Sequence, residues 1–142
     1  SMGEWDVVPA SPADHPAIKT IARQSPYTAG VDRMRYFLGS REVLLVARGP
    51  DGQVIGFCQG VHLRRHPYSS IYHFGVDRAH RREGVGSLLA DAMQQAAPSK
   101  IVRLQVDERN EEGLAFYLSL GFAEVARKTS RVGHKLITLQ RG

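Results

Sequence analysis

The chain has 142 residues, 42% hydrophobic and 23% charged, which is the size of one compact domain that buries a core without disulfides or a structural metal. A single cysteine, Cys58, excludes an internal disulfide, and no apolar run approaches the ~18 residues of a membrane span. The formal charge of +5 and pI near 9.7 leave three uses for the basic excess: an anionic cofactor, a nucleic acid, or plain solvation. The basic residues are spread out apart from Arg64-Arg65-His66 and Arg78 to Arg82, which disfavours nucleic acid. No signal-peptide pattern opens the chain, Ser1 reads as a cloning residue ahead of a start at Met2, and the expected location is cytoplasmic.

Trp5–Val8 reads as a short first strand ending at Pro9. Ser11 and Asp14 are candidate caps for a helix running to about Arg23, with Pro12 tolerated in its first turn. Gln24-Ser25-Pro26-Tyr27 breaks it, and Val31, Met34, Tyr36, Phe37 and Leu38 suggest a second short helix closed by Gly39. Glu42–Arg48 and Gln53–Leu63 flank Gly49-Pro50-Asp51-Gly52, a hairpin signal. Ser69–Val76 follows as a third strand of this group. From Gly84, Val85, Leu88, Leu89, Ala92, Met93 and Ala96 fall at helical spacing up to Pro98. Ile101–Val106 is a strand, and Asn110 caps a helix through Leu120 with Glu111 and Glu112 at its positive end. Gly121 closes that helix, and Phe122–Arg127 and His134–Gln140 are closing strands. The pattern alone gives an α/β single domain with a mixed sheet, its helical crossovers joining parallel strands and its early hairpin antiparallel.

The segment from Val76 to Ser87 joins a strand to a helix. Gly84 and Gly86 remove side chains where a ligand approaches the backbone. The first helical N–H groups lack intrahelical partners, and the helix dipole adds positive potential. Arg81 and Arg82 add charge, and Ser87 a hydroxyl. The bland alternative is a glycine-containing loop with solvated arginines. No third glycine stands at Leu89, and no Gly-Lys-Ser/Thr follows, so neither a dinucleotide fingerprint nor a Walker loop is present. The strand-turn-helix setting favours a phosphate site.

Val76-Asp77 followed by Arg81-x-x-Gly84-x-Gly86 resembles the Arg/Gln-x-x-Gly-x-Gly/Ala motif of the GNAT superfamily of N-acetyltransferases. A second block resembles it independently: Leu104-Gln105-Val106, Asn110, Ala115, Phe116-Tyr117 and Leu120-Gly121-Phe122. The element order agrees from Trp5 to Leu139, so residues 3–142 are expected to form one such domain. The resemblance implies a centrally splayed sheet flanked by helices, and acetyl-CoA as cofactor. It implies pantetheine in the split along Phe74, Gly75 and Val76, and diphosphate on the turn Arg81, Arg82, Glu83, Gly84, Val85, Gly86 and Ser87. It also implies that Asn110 lies beside the pantetheine, that Tyr117 points at the sulfur, and that a backbone N–H near Phe74 stabilises the oxyanion.

Acyl transfer to an amine needs a neutral nucleophile, a stabilised oxyanion and a protonated leaving thiolate. Tyr117 suits the last role because a phenol keeps its proton at neutral pH; its alternative is an ordinary core aromatic. The middle residue of the Leu-x-Val strand, an acid or histidine in relatives that acetylate protein N-termini, is Gln105 here and takes no proton. His73 is the candidate base, with a packed or solvated strand residue as the alternative. Glu42, Asp107 and Glu108 are further candidates, able to reach the cleft through water. By alternation Tyr72, Phe74 and Val76 share one face of their strand, and His73 and Asp77 the other. An α-amine of pKa ~8 is neutral in roughly one molecule in ten at pH 7, a lysine-like amine in roughly one in 2,500, so the missing strong base tilts toward less basic amines.

The acceptor surface is expected at Tyr27–Leu38 and Leu63–Ser69, with Tyr27, Tyr36 and Gln105 as substrate-binding residues. No metal is expected. The leading expectation is acetyl transfer to the primary amine of a small molecule or peptide N-terminus through a ternary complex, by a monomer or homodimer. An acyltransferase acting on a nucleobase or a nucleic-acid-bound protein, and a non-catalytic acyl-CoA-binding module, are the alternatives.

Overall fold

The computed structural model describes residues 4–27, 40–62 and 65–142. Seven strands form one sheet: β1 (Asp6–Pro9), β2 (Glu42–Arg48), β3 (Val54–Val61), β4 (Ser69–Val76), β5 (Val102–Asp107), β6 (Ala123–Thr129) and β7 (Lys135–Arg141), in the order β1-β2-β3-β4-β5-β7-β6. Three α-helices, α1 (His15–Ala22), α2 (Val85–Ala96) and α3 (Glu111–Ser119), and two 3-10 turns, Pro12–Asp14 and Arg78–His80, complete the described elements.

The hairpin forms where expected. Gly49 N–H donates to Gln53 O at 2.8 Å, and Gly52 takes the positive φ of 81° that its turn requires. Every residue of β3 is buried, because α2 covers one sheet face and α1 the other. Val85, Leu89, Ala90 and Met93 of α2 pack on Ile55, Phe74, Val76 and Leu104, while Ile18, Ile21 and Ala22 of α1 pack on Leu44, Val46 and Phe57.

Two features open the sheet. β4 and β5 are parallel, but they pair only at Ser69 with Val102 and Ser70 with Arg103, and diverge beyond. This is the expected central splay. The β3–β4 register also shifts between Gln59 and Gly60, so that Gly60 faces Ile71 while Gln59 faces His73. The extra residue, Tyr72, is bulged out. The alternation expected for β4 therefore fails at that point: Tyr72 is 59% exposed, whereas Phe74 is 4% exposed and lies in the core.

The helix expected from Ser11 to Arg23 is split into a 3-10 turn (Pro12–Asp14) and α1. Pro12 and Pro16 lack N–H donors, and Asp14 turns back to accept the Ser11 N–H at 2.8 Å. The second expected helix, Val31–Leu38 with Gly39, lies outside the described residues. Both crossovers join parallel strands as expected, but β7 inserts between β5 and β6, so only β4 and β5 are neighbours. Phe122, expected to start a strand, is instead a core residue ahead of β6.

Candidate active site

A cleft of about 550 Å³ opens where β4 leaves β5, lined among others by Phe74, Gly75 and Val76 of β4, the turn before α2, and Asn110, Phe116 and Tyr117. At its outer end the chain turns from a 3-10 segment (Arg78–His80) into α2. Arg82 and Gly84 both adopt positive φ, 66° and 84°, the backbone state that curls successive N–H groups into an anion-binding concavity. Among the described residues the amides of Arg81 to Ser87 donate to no backbone carbonyl. No atom lies within 4 Å of a Cβ built on Gly84, so that residue leaves open space above the turn.

Some expectations for the turn change. A Cβ on Gly86 would stand 2.8 Å from Cζ of Phe116, so this glycine is required by packing of α2 on α3 more than by ligand approach. The Arg81 guanidinium is taken by Glu112 of α3, which holds that carboxyl below its ordinary range. Arg82 is the arginine of the turn left with exposed, unpaired nitrogens among the described residues. Ser87 lines the cleft. Glu83 does not; its carboxylate meets His80 Nδ1 at 2.9 Å.

At the inner end, Tyr117 sits in an aromatic cluster, its ring 5.9 Å from Phe74 and 5.4 Å from Phe116. Burial, with a smaller contribution from the neighbouring Cys58, pushes the phenol up to about 12. No described side chain hydrogen-bonds its hydroxyl. Asn110 caps α3, its Oδ1 accepting the Gly113 N–H at 2.9 Å while the residue lines the cleft.

His73 does not line this cleft. It lies with Gly75 and Gln59 on the α1 face of the sheet, opposite Phe74 and Tyr117, and desolvation holds its imidazole below the ordinary value of 6.5. Gln105 is exposed on the same face of β5, since Leu104 and Val106 point into the core beneath α2. Tyr27 is 45% exposed and lies in electrostatic reach of Arg109 beside the start of α3. Tyr36, Phe37, Leu63 and Arg64 lie outside the described residues. Asp107 is engaged by Arg109 Nη2 at 2.8 Å and held well below the usual carboxylate range.

Three residues of the region carry roles that the sequence did not assign them. Gln24 lines the cleft and ties the end of α1 to the turn, donating to Asp77 Oδ1 at 3.1 Å and accepting the Arg78 N–H at 2.9 Å. Nothing in its neighbours announces this. Phe116 marks the second motif without a stated role. Gln59, 7% exposed, was legible as the one polar side chain within the apolar strand Val54–Val61.

A model of the Acetyltransferase (GNAT) family matches residues 14–122. The chain belongs to this family. It is 29% identical over 117 residues to the 5-NmdU N-acetyltransferase of Pseudomonas phage PaMx11, covering 80% of this chain and 83% of that protein. Ard1 from Thermoplasma volcanium superposes with a TM-score of 0.73 at 28% identity over 97% of each chain. An aminoglycoside 6'-N-acetyltransferase solved with coenzyme A shares the fold, with a TM-score of 0.75 at 13% identity over 96% of each chain. The expected family and fold are borne out. The chain is thus a GNAT N-acetyltransferase, with acetyl-CoA as the family's acyl donor. The unengaged amides, the open space over Gly84 and the charge of Arg82 suit a diphosphate, and the apolar wall of Phe74, Val76 and Phe116 suits a pantetheine arm.

Proposed function

We propose that this GNAT domain acetylates the primary amine of a small molecule or a peptide N-terminus by direct attack within a ternary complex. The observation that carries this reading is one continuous cleft linking the free amides of the α2 turn to a phenol whose proton is held through neutral pH. Bound acetyl-CoA supplies an activated acetyl group and a thiolate leaving group. Arg82 and the amides to Ser87 hold the diphosphate, while Phe74 to Val76 and Asn110 flank the arm. An N–H of β4 near Phe74 meets the charge that develops on the acyl oxygen. Tyr117 gives its proton to the thiolate as the C–S bond breaks. His73, neutral at pH 7, receives through water the proton that the amine gives up as its N–C bond forms. The amine enters over the face carrying His73 and Gln105, with Tyr27 at its approaches.

The test is a thermal shift with acetyl-CoA followed by mass spectrometry over an amine panel. Acetyl-CoA at ~100-fold over its Kd adds ~2.7 kcal/mol of stability. No shift with any acyl-CoA overturns the reading.

The charge of +5 supports a second reading, in which the amine is borne on a nucleic-acid base. The 5-NmdU of the phage relative therefore joins the panel. Steeply salt-dependent DNA or RNA binding favours this version; no binding at low salt removes it.

A further inference from the structure

Arg103 stands on β5 beside the point where β4 and β5 separate, its Cα partnered with Ser70. Because Val102, Leu104 and Val106 point into the core under α2, Arg103 shares the opposite face with Gln105, across the split from His73 and Gln59. Its guanidinium is fixed twice. Cζ lies 4.3 Å over the Tyr68 ring, and Nε donates to Gln140 Oε1 at 2.7 Å. Tyr68 is itself steadied by an edge contact with His66 at 5.7 Å.

Among the described residues the side chain has no counter-ion. The other half-buried arginines among the described residues each have one: Arg48 meets Asp14 at 2.8 Å and Arg141 meets Asp91 at 2.5 Å. Among the described residues Arg103 meets no carboxylate, and its Nη1 and Nη2 meet no acceptor. A guanidinium seated over an aromatic ring with its Nε satisfied is organised to offer two parallel N–H donors to an oxyanion. Asp107, the acid on the same face of β5, is already held by Arg109.

We infer that Arg103 recognises an oxyanion, carboxylate or phosphate, carried by the amine acceptor itself, so that the substrate class is an anionic primary amine. This rests on the N-acetyltransferase reading and on entry of the amine over the Gln105 face. Arg103 lies on that face of the split, so it orients the acceptor without touching the reacting atoms. Tyr68 and Gln140 are its positioning residues.

The test uses matched acceptors with the full chain loaded with CoA for binding and acetyl-CoA for turnover. Glycylglycine is compared with its amide, and 2-aminoethyl phosphate with 2-aminoethanol, at equal fractions of neutral amine. Calorimetry reads affinity and mass spectrometry reads acetylation. The expected result is at least ~10-fold tighter binding of one oxyanion-bearing member over its neutral partner. Arg103→Gln should erase that gap by raising KM for the anionic acceptor with kcat little changed. Arg103→Lys, keeping charge without the fork, should recover part of it, which also shows that the loss is not misfolding. The carboxylate and phosphate pairs tell the two sources apart. Equal affinity within both pairs, or a gap that survives in Arg103→Gln, overturns the assignment. An acetyl-CoA thermal shift with neither anionic member bound also overturns it while N-acetyltransfer stands. Absence of that shift removes the underlying reading as well.

Discussion

Gly86, in the first turn of α2, lies under the ring of Phe116 on α3. A Cβ at Gly86 would stand 2.8 Å from Cζ and 2.9 Å from Cε1 of that ring, with Leu120 Cδ2 at 3.4 Å. The turn with the unengaged amides and the helix that carries Tyr117 are therefore in direct contact. Gly86→Ala should cost ~1–3 kcal/mol from overpacking, partly offset by the ~0.5–1 kcal/mol that alanine gains over glycine in a helix. Phe116→Leu in the same chain should recover some of the loss, as a double-mutant cycle read by denaturation. A Gly86→Ala variant as stable as the parent would show that the ring moves aside freely.

Tyr117 is the group whose loss should separate binding from chemistry. Its phenol, raised to about 12 by burial, keeps its proton across the working range. No alkaline limb from this residue should therefore appear below pH 10. Tyr117→Phe should lower kcat by ~10²–10⁴ while the acetyl-CoA thermal shift persists. Equal loss of the shift would make Tyr117 a binding residue; unchanged turnover would leave the leaving thiolate to be protonated by water.

How far the sequence carried the fold depends on which physics set each element. The β4 and β5 strands, α2 with its i, i+4 apolar positions and the Asn110 cap follow from local periodicity and capping, and they fell within a residue or two of their observed limits. The bulge at Tyr72 did not, because it arises from the pairing of Gln59 and Gly60 with β4, residues more than ten positions away. The insertion of β7 between β5 and β6 is likewise a matter of partners rather than of pattern. At the site, the positive φ of Gly84 was foreshadowed by residue type, but the capture of Arg81 by Glu112 and the seating of Arg103 against Tyr68 and Gln140 depend on chain crossings that no local motif encodes.

Asp14 and Arg48 join the start of α1 to β2. The carboxylate is buried and accepts Arg48 Nη1 at 2.9 Å and Nη2 at 2.8 Å, along with the Ser11 N–H. The bond from Arg48 is the main cause that holds Asp14 below its ordinary value of 3.8. Its folded pKa is thus depressed, so the stability it contributes is present above about pH 4 and is lost as pH falls through the lower folded value. Asp14→Asn should cost ~1–3 kcal/mol near pH 7 and flatten the decline of stability below pH 4, measured by urea unfolding across pH. An undiminished acid decline in the variant would assign it to other carboxylates.

His73 faces away from Phe74 toward Gln59, and desolvation lowers its pKa from 6.5. The lowered value means that the neutral form, the one able to accept a proton, dominates at pH 7. Turnover that depends on it should fall on the acid side only, as pH drops below 6.5 through the depressed pKa. The same sign governs folding: the unfolded chain takes up the proton first, so stability declines from 6.5 downward and levels off once the folded form is protonated too. His73→Asn should remove both slopes. The pH profile of kcat/KM should lose its acid limb, and the stability curve should flatten over the same interval. If the kinetic limb survives in His73→Asn while the stability slope disappears, His73 is a packed strand residue, and the amine proton leaves to ordered water. The two slopes measured on one variant decide between these roles, because a merely structural histidine moves only the second.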